Sequence, residues 1–426
     1  MSFMGHEAVG LEGRALEAAR VRSRWVLFLT VALGSTGHLA AVTVAALAGK
    51  ELLGSAALAG APSAAVVFGA AVGAVALSSL MARRGRRLGL TAGYLTSIVG
   101  AAIGATGIVT RSFPLLMIGT FLIGFGNSSN NLSRYAAADM AEPSRRPMAI
   151  GLVVWGSTVG GVLGPLIVPL ASDLAAMFGL PPLAGPYLVP IVMVGVAALL
   201  SWLLLRPDPF ALATDADHPV DADRDARPAW EILRRPVVLA AVVALACSQA
   251  TMVLIMTITP IHLDDHGHDL GTVGFVISGH VVGMFALAPL SGWITQRFGS
   301  VPTIFLGTAV LVAAALLAAV APPARSDILA MALFLLGYGW NLGFVAGSSL
   351  LSASVDLADR TRVQGAADAV IWTTSALASL GSGAVVAAAG FSTLGILGAG
   401  LVLVPIWLLL QGRRAMAAGA AGGGAA

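Results

Sequence analysis

The stretch whose reading decides the fold is FLIGFG at residues 121–126, because it returns as FLLGYG at residues 334–339, 213 positions later. It does not return alone. The run ending Arg83-Arg84-Gly85-Arg86-Arg87 has a counterpart in GWITQRFG at residues 292–299, and Val154-Trp155 has one in Ile371-Trp372. Each offset, 213 to 217 residues, is half of a 426-residue chain. Unrelated short motifs that recur at one long period mark a duplicated unit.

Working outward, each copy consists of apolar runs. The chain is 57% hydrophobic and only 11% charged, with a mean hydropathy of +0.89. A water-soluble domain carries about 25% charged residues, so this chain lacks the polar surface to face water all round. Its apolar runs have about the 20 residues a helix needs to cross ~30 Å of hydrocarbon, and no successive ten-residue segments alternate as a membrane barrel requires. Twelve spans are expected, near 25–48, 61–82, 88–110, 113–139, 147–171, 186–206, 236–259, 271–296, 301–322, 327–352, 363–389 and 391–411. The predicted fold is therefore all-α and integral to the membrane: twelve transmembrane helices in two pseudo-symmetric six-helix bundles, 25–206 and 236–411. A cytoplasmic segment, 1–24, precedes them, a polar cytoplasmic linker, 207–235, joins them, and 412–426 reads as a disordered tail. Two related bundles rocking about a site near the bilayer midplane are the architecture of a secondary transporter.

Orientation follows from the basic residues. With the N-terminus inside, 20 of the 24 Arg and Lys fall on cytoplasmic segments and only Lys50, Arg111 and Arg325 fall outside. That asymmetry predicts both termini in the cytoplasm of a bacterial inner membrane. The lone cysteine, Cys247, excludes an internal disulfide and any paired-cysteine metal site. No phosphate-cradling loop, no Ser/His/Asp arrangement and no basic surface beyond the membrane flanks appears, so neither an enzyme nor a nucleic-acid partner is expected.

The polar residues inside spans carry the chemistry. Residues 252–284 read MVLIMTITPIHLDDHGHDLGTVGFVISGHVVGM. Met252 and Met256 are four apart, as are His280 and Met284, so each pair shares a helix face. Thioether and imidazole donors suit a soft ion such as Cu(I). Met is also an ordinary gap-filler, whereas a histidine inside a span is a functional-site hypothesis by default. The intervening outer loop adds His262, Asp264, Asp265, His266, His268 and Asp269 as further candidate donors, or as a merely solvated loop. In span 4, Asn127, Asn130 and Asn131 precede Arg134, the one basic residue inside a span. Arg134 reads either as a substrate or coupling residue or as an ion pair with Asp139 or Asp368; Asp368 is likewise a relay candidate or an interhelical tie.

Several of these motifs carry a resemblance. Residues 78–87 and 292–299 resemble the signature GxLaDRxGRR that the major facilitator superfamily places between its second and third, and eighth and ninth, helices. The resemblance implies gating loops at Gly85, Arg86, Arg297 and Gly299. Both copies depart from it: the acidic position is Ala82 in one and Gln296 in the other. Within that superfamily, MxxxM on helix 7 and HxxxM on helix 8, here Met252, Met256, His280 and Met284, resemble the CcoA-like copper importers. The resemblance implies copper as the transported ion, no permanently bound cofactor, membrane lipid as the surroundings, and a cytoplasmic copper chaperone as recipient. The alternative is carriage of a small organic molecule, by drug/proton antiport or riboflavin-like uptake. Gly151, Gly160, Gly164 and Pro165 match part of the antiporter pattern on span 5, although Gly-rich packing faces are common throughout this chain.

Overall fold

A computed structural model of the chain describes residues 13–53, 61–213, 228–268 and 270–407, with the backbone alone for Asp264, Leu270 and Gly271. In chain order the helices are α1 (Gly13–Leu53), α2 (Ala61–Arg84), α3 (Arg86–Val109), α4 (Phe113–Asp139), α5 (Arg146–Met177), α6 (Gly185–Leu204), the short α7 (Ala229–Leu233), α8 (Pro236–Met256), α9 (Thr259–Asp265), α10 (Leu270–Phe285), α11 (Ala288–Phe298), α12 (Ser300–Val320), α13 (Ser326–Ala353), α14 (Leu357–Ala389) and α15 (Phe391–Leu401). No strand occurs among the described residues.

Among the described residues, ten helical segments are long and apolar enough to cross a membrane. The remaining two expected spans are α4, whose C-terminal end carries Arg134 and Asp139, and the shorter apolar stretch Phe391–Trp407. Spans 7 and 8 are each interrupted, as α8–α9 and α10–α11. In both, the second piece opens with a proline one residue in, Pro260 and Pro289. Proline has no N–H to donate and its ring collides with the preceding turn, so the helix restarts there. The first helix begins earlier than the apolar run, at Gly13, so Arg14, Arg20, Arg22 and Arg24 stand on its opening turns.

By proximity the chain forms two compact units, Met1–Ala226 with Leu357–Thr373, and Arg227–Asp356 with Thr374–Ala426. In the first unit α4 packs on α2 and α3; in the second α13 packs on α10 and α12. The duplicated FLIGFG and FLLGYG are what permit both sets of crossings. A Cβ on Gly124 would fall on the Val66 carbonyl of α2, and one on Gly337 would fall on the His280 carbonyl of α10. The second glycine of each motif does the same for the third helix of its half. A Cβ on Gly126 would lie 2.6 Å from Ser97 Oγ on α3, and one on Gly339 2.9 Å from the Leu311 backbone nitrogen on α12. Backbones that approach this closely gain packing in a medium where lipid is as apolar as leucine and burial drives nothing.

The signature turns repeat as faithfully. Gly85 has φ 89, ψ 164 and Gly299 has φ 93, ψ 161. This region is open essentially to glycine alone, which explains why both copies keep that residue while losing the acidic one.

Candidate functional site

In the second unit, buried polar side chains of α8, α13 and α14 meet. Gln249, the one amide side chain of α8, accepts a hydrogen bond at Oε1 from the Trp340 indole N–H at 2.7 Å, and its Nε2 donates to Ser375 Oγ of α14 at 3.3 Å. The indole is thereby fixed, and the Phe344 ring stacks on it with centroids 4.7 Å apart and planes at 21°. Phe285 of α10 meets the same indole edge-on at 5.8 Å. Directly after Trp340, Asn341 donates from Nδ2 to the Met284 carbonyl at 2.7 Å, and its own Oδ1 has no hydrogen-bond partner among the described residues. The product is an aromatic cluster on α13 and α10 whose indole is held by the Gln249 amide. Sequence reasoning passed over it. The available signals were Gln249 alone in an apolar span and Trp340 at the repeat position of Asn127.

The Met/His pairs lie nearby on separate helices. Met252 is buried on α8 and Met256 half-buried at its end. His280 is fully buried on α10; its Nδ1 meets the Leu333 carbonyl at 2.8 Å, while Nε2 has no hydrogen-bond partner among the described residues. With Nδ1 bonded to a carbonyl, Nδ1 carries the proton and Nε2 presents its lone pair. Met284, half-buried, follows one turn later. Helices α8 and α10 both pack on α13 rather than along one another. Of the expected loop, His262–Asp265 is helical, the end of α9; His262 stacks on Phe391 (4.1 Å, 11°) and lies 4.4 Å from His266. His266 Nδ1 meets the His262 carbonyl at 2.7 Å, and His268 Nε2 meets the Pro323 carbonyl at 2.8 Å. Asp265 is exposed. Among the described residues no group of three or more His, Cys, Asp or Glu side chains is arranged to hold a metal. The Asp264 side chain and Asp269 lie outside the described residues.

The first unit holds the charges. Arg134 of α4 pairs with Asp368 of α14 through Nη2–Oδ1 at 2.7 Å and Nη1–Oδ2 at 3.3 Å. The Tyr135 hydroxyl donates to Asp368 Oδ1 at 3.2 Å, and both partners of the ion pair are at most 2% exposed. Of the two acids weighed for Arg134, Asp368 is therefore the partner. Asp139 instead takes Arg86 Nη2 at 2.6 Å and Arg360 Nη1 at 3.1 Å, and Arg86 Nη2 also reaches Gln364 Oε1 at 2.7 Å. Asn131 donates to the Asn127 carbonyl at 2.8 Å and its Oδ1 at 3.2 Å, a bond within its own helix. The amide that ties helices together is Asn130, which accepts from Tyr94 OH of α3 at 3.0 Å and donates to Ser35 Oγ of α1 at 3.3 Å. At the second signature turn Arg297 is exposed and lies over its neighbour Phe298.

One further acid lies at the first signature turn. Asp208, beyond α6, accepts the backbone N–H groups of Arg86 (3.1 Å), Arg87 (2.9 Å) and Phe210 (2.8 Å). Burial pushes this carboxyl above the ordinary carboxylate range, opposed by those three donors and by the Arg86 guanidinium.

Two repeated helical halves, with polar groups buried along their helices, are the architecture of a membrane transporter. The Major Facilitator Superfamily pattern matches residues 25–270 and 241–424, and the chain belongs to that family of secondary transporters. It is 34% identical over 398 residues to the uncharacterized MFS-type transporter YdeG of Bacillus subtilis, covering 92% of each chain. It is 32% identical over 407 residues to the riboflavin transporter RfnT of Brucella anthropi, covering 94% of this chain and 98% of that one. Among solved structures, the proton:xylose symporter XylE superposes with a TM-score of 0.75 at 13% identity, over 93% of this chain and 96% of that one, a likeness of fold.

Proposed function

We propose that this transporter carries a small, planar, aromatic organic molecule, gripped in its second unit by the Trp340 indole. The observation behind this reading is the aromatic cluster: an indole oriented by Gln249 at 2.7 Å, backed by Phe344 and braced by Phe285. A fixed aromatic face recognises a flat π-system, and amides match the donors and acceptors of a heterocycle. The resemblance to a riboflavin transporter supports this reading, because riboflavin is such a heterocycle. The charge placement supports the rest of the assignment: a bacterial inner membrane, both termini inside. Fusions of a periplasm-active reporter at residue 426 should be silent.

A second reading, copper import along Met256, Met252, His280 and Met284 to a cytoplasmic chaperone, rests on the buried Nε2 of His280, which has no hydrogen-bond partner among the described residues. A backbone carbonyl fixing the other ring nitrogen is how metal-binding imidazoles are held.

Uptake in cells stripped of their own importers tests both. Riboflavin and copper are each supplied to cells making the natural chain, Trp340→Ala or His280→Ala at matched membrane levels. Riboflavin uptake should fall about fivefold or more in Trp340→Ala and far less in His280→Ala. Copper accumulation that vanishes in His280→Ala, with no riboflavin uptake by the natural chain, would establish the second reading instead.

A further inference from the structure

The N-terminus of α3 presents a problem that its own sequence does not solve. The first N–H groups of a helix lack intrahelical acceptors and are ordinarily capped by a local side chain. Here the N-cap is Gly85, which has no side chain, and the residue three positions earlier is Ala82. Across 122 residues of sequence, Asp208 supplies the acceptor: its two carboxylate oxygens take the Arg86 and Arg87 N–H groups, one each. The fit depends on glycine, since a Cβ at residue 85 would lie 2.5 Å from Asp208 Oδ2.

The segment that carries Asp208 is itself clamped. Leu205 and Leu212 are fully buried. Arg20 Nε of α1 donates to the Leu212 carbonyl at 3.0 Å, and Arg22 of α1 donates to the Arg206 carbonyl. The guanidinium of Arg87 lies 5.0 Å from the Trp202 ring, and that of Arg206 lies 5.9 Å from it. The residue whose backbone Asp208 holds is the residue whose side chain ties α3 to α4 and α14, through Asp139 and Gln364.

We propose that Asp208 is a positioning residue for the transport cycle. By fixing the backbone of Arg86 it aims the guanidinium at Asp139 and Gln364, and so sets how firmly the first half of α14 is held to α2, α3 and α4. A carrier must let go of such contacts and remake them in each cycle, so the strength of this aim governs how often α14 is released. The charged and titratable groups around Arg86 are Asp139 on α4, Arg360 on α14, Arg87 on α3 and Asp208 itself. The inference does not depend on which cargo is carried.

Its test needs no cargo. Ser78 of α2 is buried under α14, where a Cβ on Gly365 would fall on its hydroxyl. In the full-length protein with Cys247→Ala, a Ser78→Cys thiol should react with N-ethylmaleimide only when α14 moves away. Asp208→Ala should raise the labelling rate about fivefold, the factor that losing a helix cap implies, and Asp208→Asn should raise it less. In an Arg86→Met background, adding Asp208→Ala should change the rate by less than about twofold, because residues acting through one contact are not additive. Unchanged labelling in Asp208→Ala would overturn the proposal, and so would an equal rise with and without Arg86. Should Asp208→Ala not reach the membrane, Asp208→Asn with and without Arg86→Met decides the matter by the same comparison.

Discussion

Arg134 and Asp368 meet where neither could stand alone. Guanidinium cannot shed its proton in a protein, and Asp368 is buried beside it with Tyr135 as a further donor. Removing one partner of a buried ion pair leaves an uncompensated charge and costs about 3–5 kcal/mol, whereas replacing both with apolar side chains of similar volume is often neutral. We therefore expect Arg134→Met and Asp368→Asn each to lower the midpoint of thermal unfolding in detergent strongly, and Arg134→Met/Asp368→Leu to recover most of the loss. A double variant as unstable as the sum of the single ones would show that the two do not act as a pair. Gln249 makes the same point for the aromatic cluster. Gln249→Leu removes the acceptor of a buried indole N–H, a loss of about 1–3 kcal/mol. It should blue-shift and broaden tryptophan fluorescence if the indole comes loose, and weaken cargo uptake in step with it.

At the scale of elements, glycine decides where helices stop and where they touch. The two signature turns share one backbone conformation but not one environment. A methyl at Gly85 meets Asp208, while a methyl at Gly299 has Pro302 Cδ at 3.8 Å as its nearest neighbour. Gly299→Ala should therefore cost only backbone strain, about 1–3 kcal/mol. Gly85→Ala should cost more and should also raise the reactivity of Ser78→Cys, since it displaces the acid that caps α3. Equal losses at the two turns would contradict the capping role. The crossing glycines behave differently, because there the obstacle is backbone. Gly124→Ala and Gly337→Ala press a methyl into a carbonyl of the facing helix. Overpacking of this kind costs at least about 1–3 kcal/mol, and the two variants should lose stability by similar amounts, measured as melting temperature of the purified protein. Spans 7 and 8 illustrate the complementary limit: composition gave their length, but the breaks before Pro260 and Pro289 follow from a missing donor that a hydropathy window averages away.

For the whole molecule, the duplication and the apolar runs were legible because both are properties of the chain taken alone. A membrane span is set by length and hydropathy, and a repeat by self-similarity. Candidate residues inside spans were legible for a related reason: a histidine, arginine or aspartate in hydrocarbon must have a partner or a purpose. His280, Arg134 and Asp368 were found in that way. What each of them touches was not legible. Whether Arg134 takes Asp139 or Asp368 depends on which turns of α4 and α14 face each other, and Arg134 and Asp368 are 234 positions apart. Asp208 lay hidden in a stretch that reads as linker, and Gln249 and Trp340 gain their meaning from each other across 91 positions. Asn127 and Asn131 showed the converse, a promising pair whose recorded bonds stay within one helix. The sequence by itself determined the membrane, the halves and the residues too polar to be idle, because those follow from transfer free energy counted along the chain. Only the tertiary structure decided the partners, because hydrogen bonds and ion pairs reach no further than about 3–4 Å, and which side chains come within that reach is set by how the helices cross.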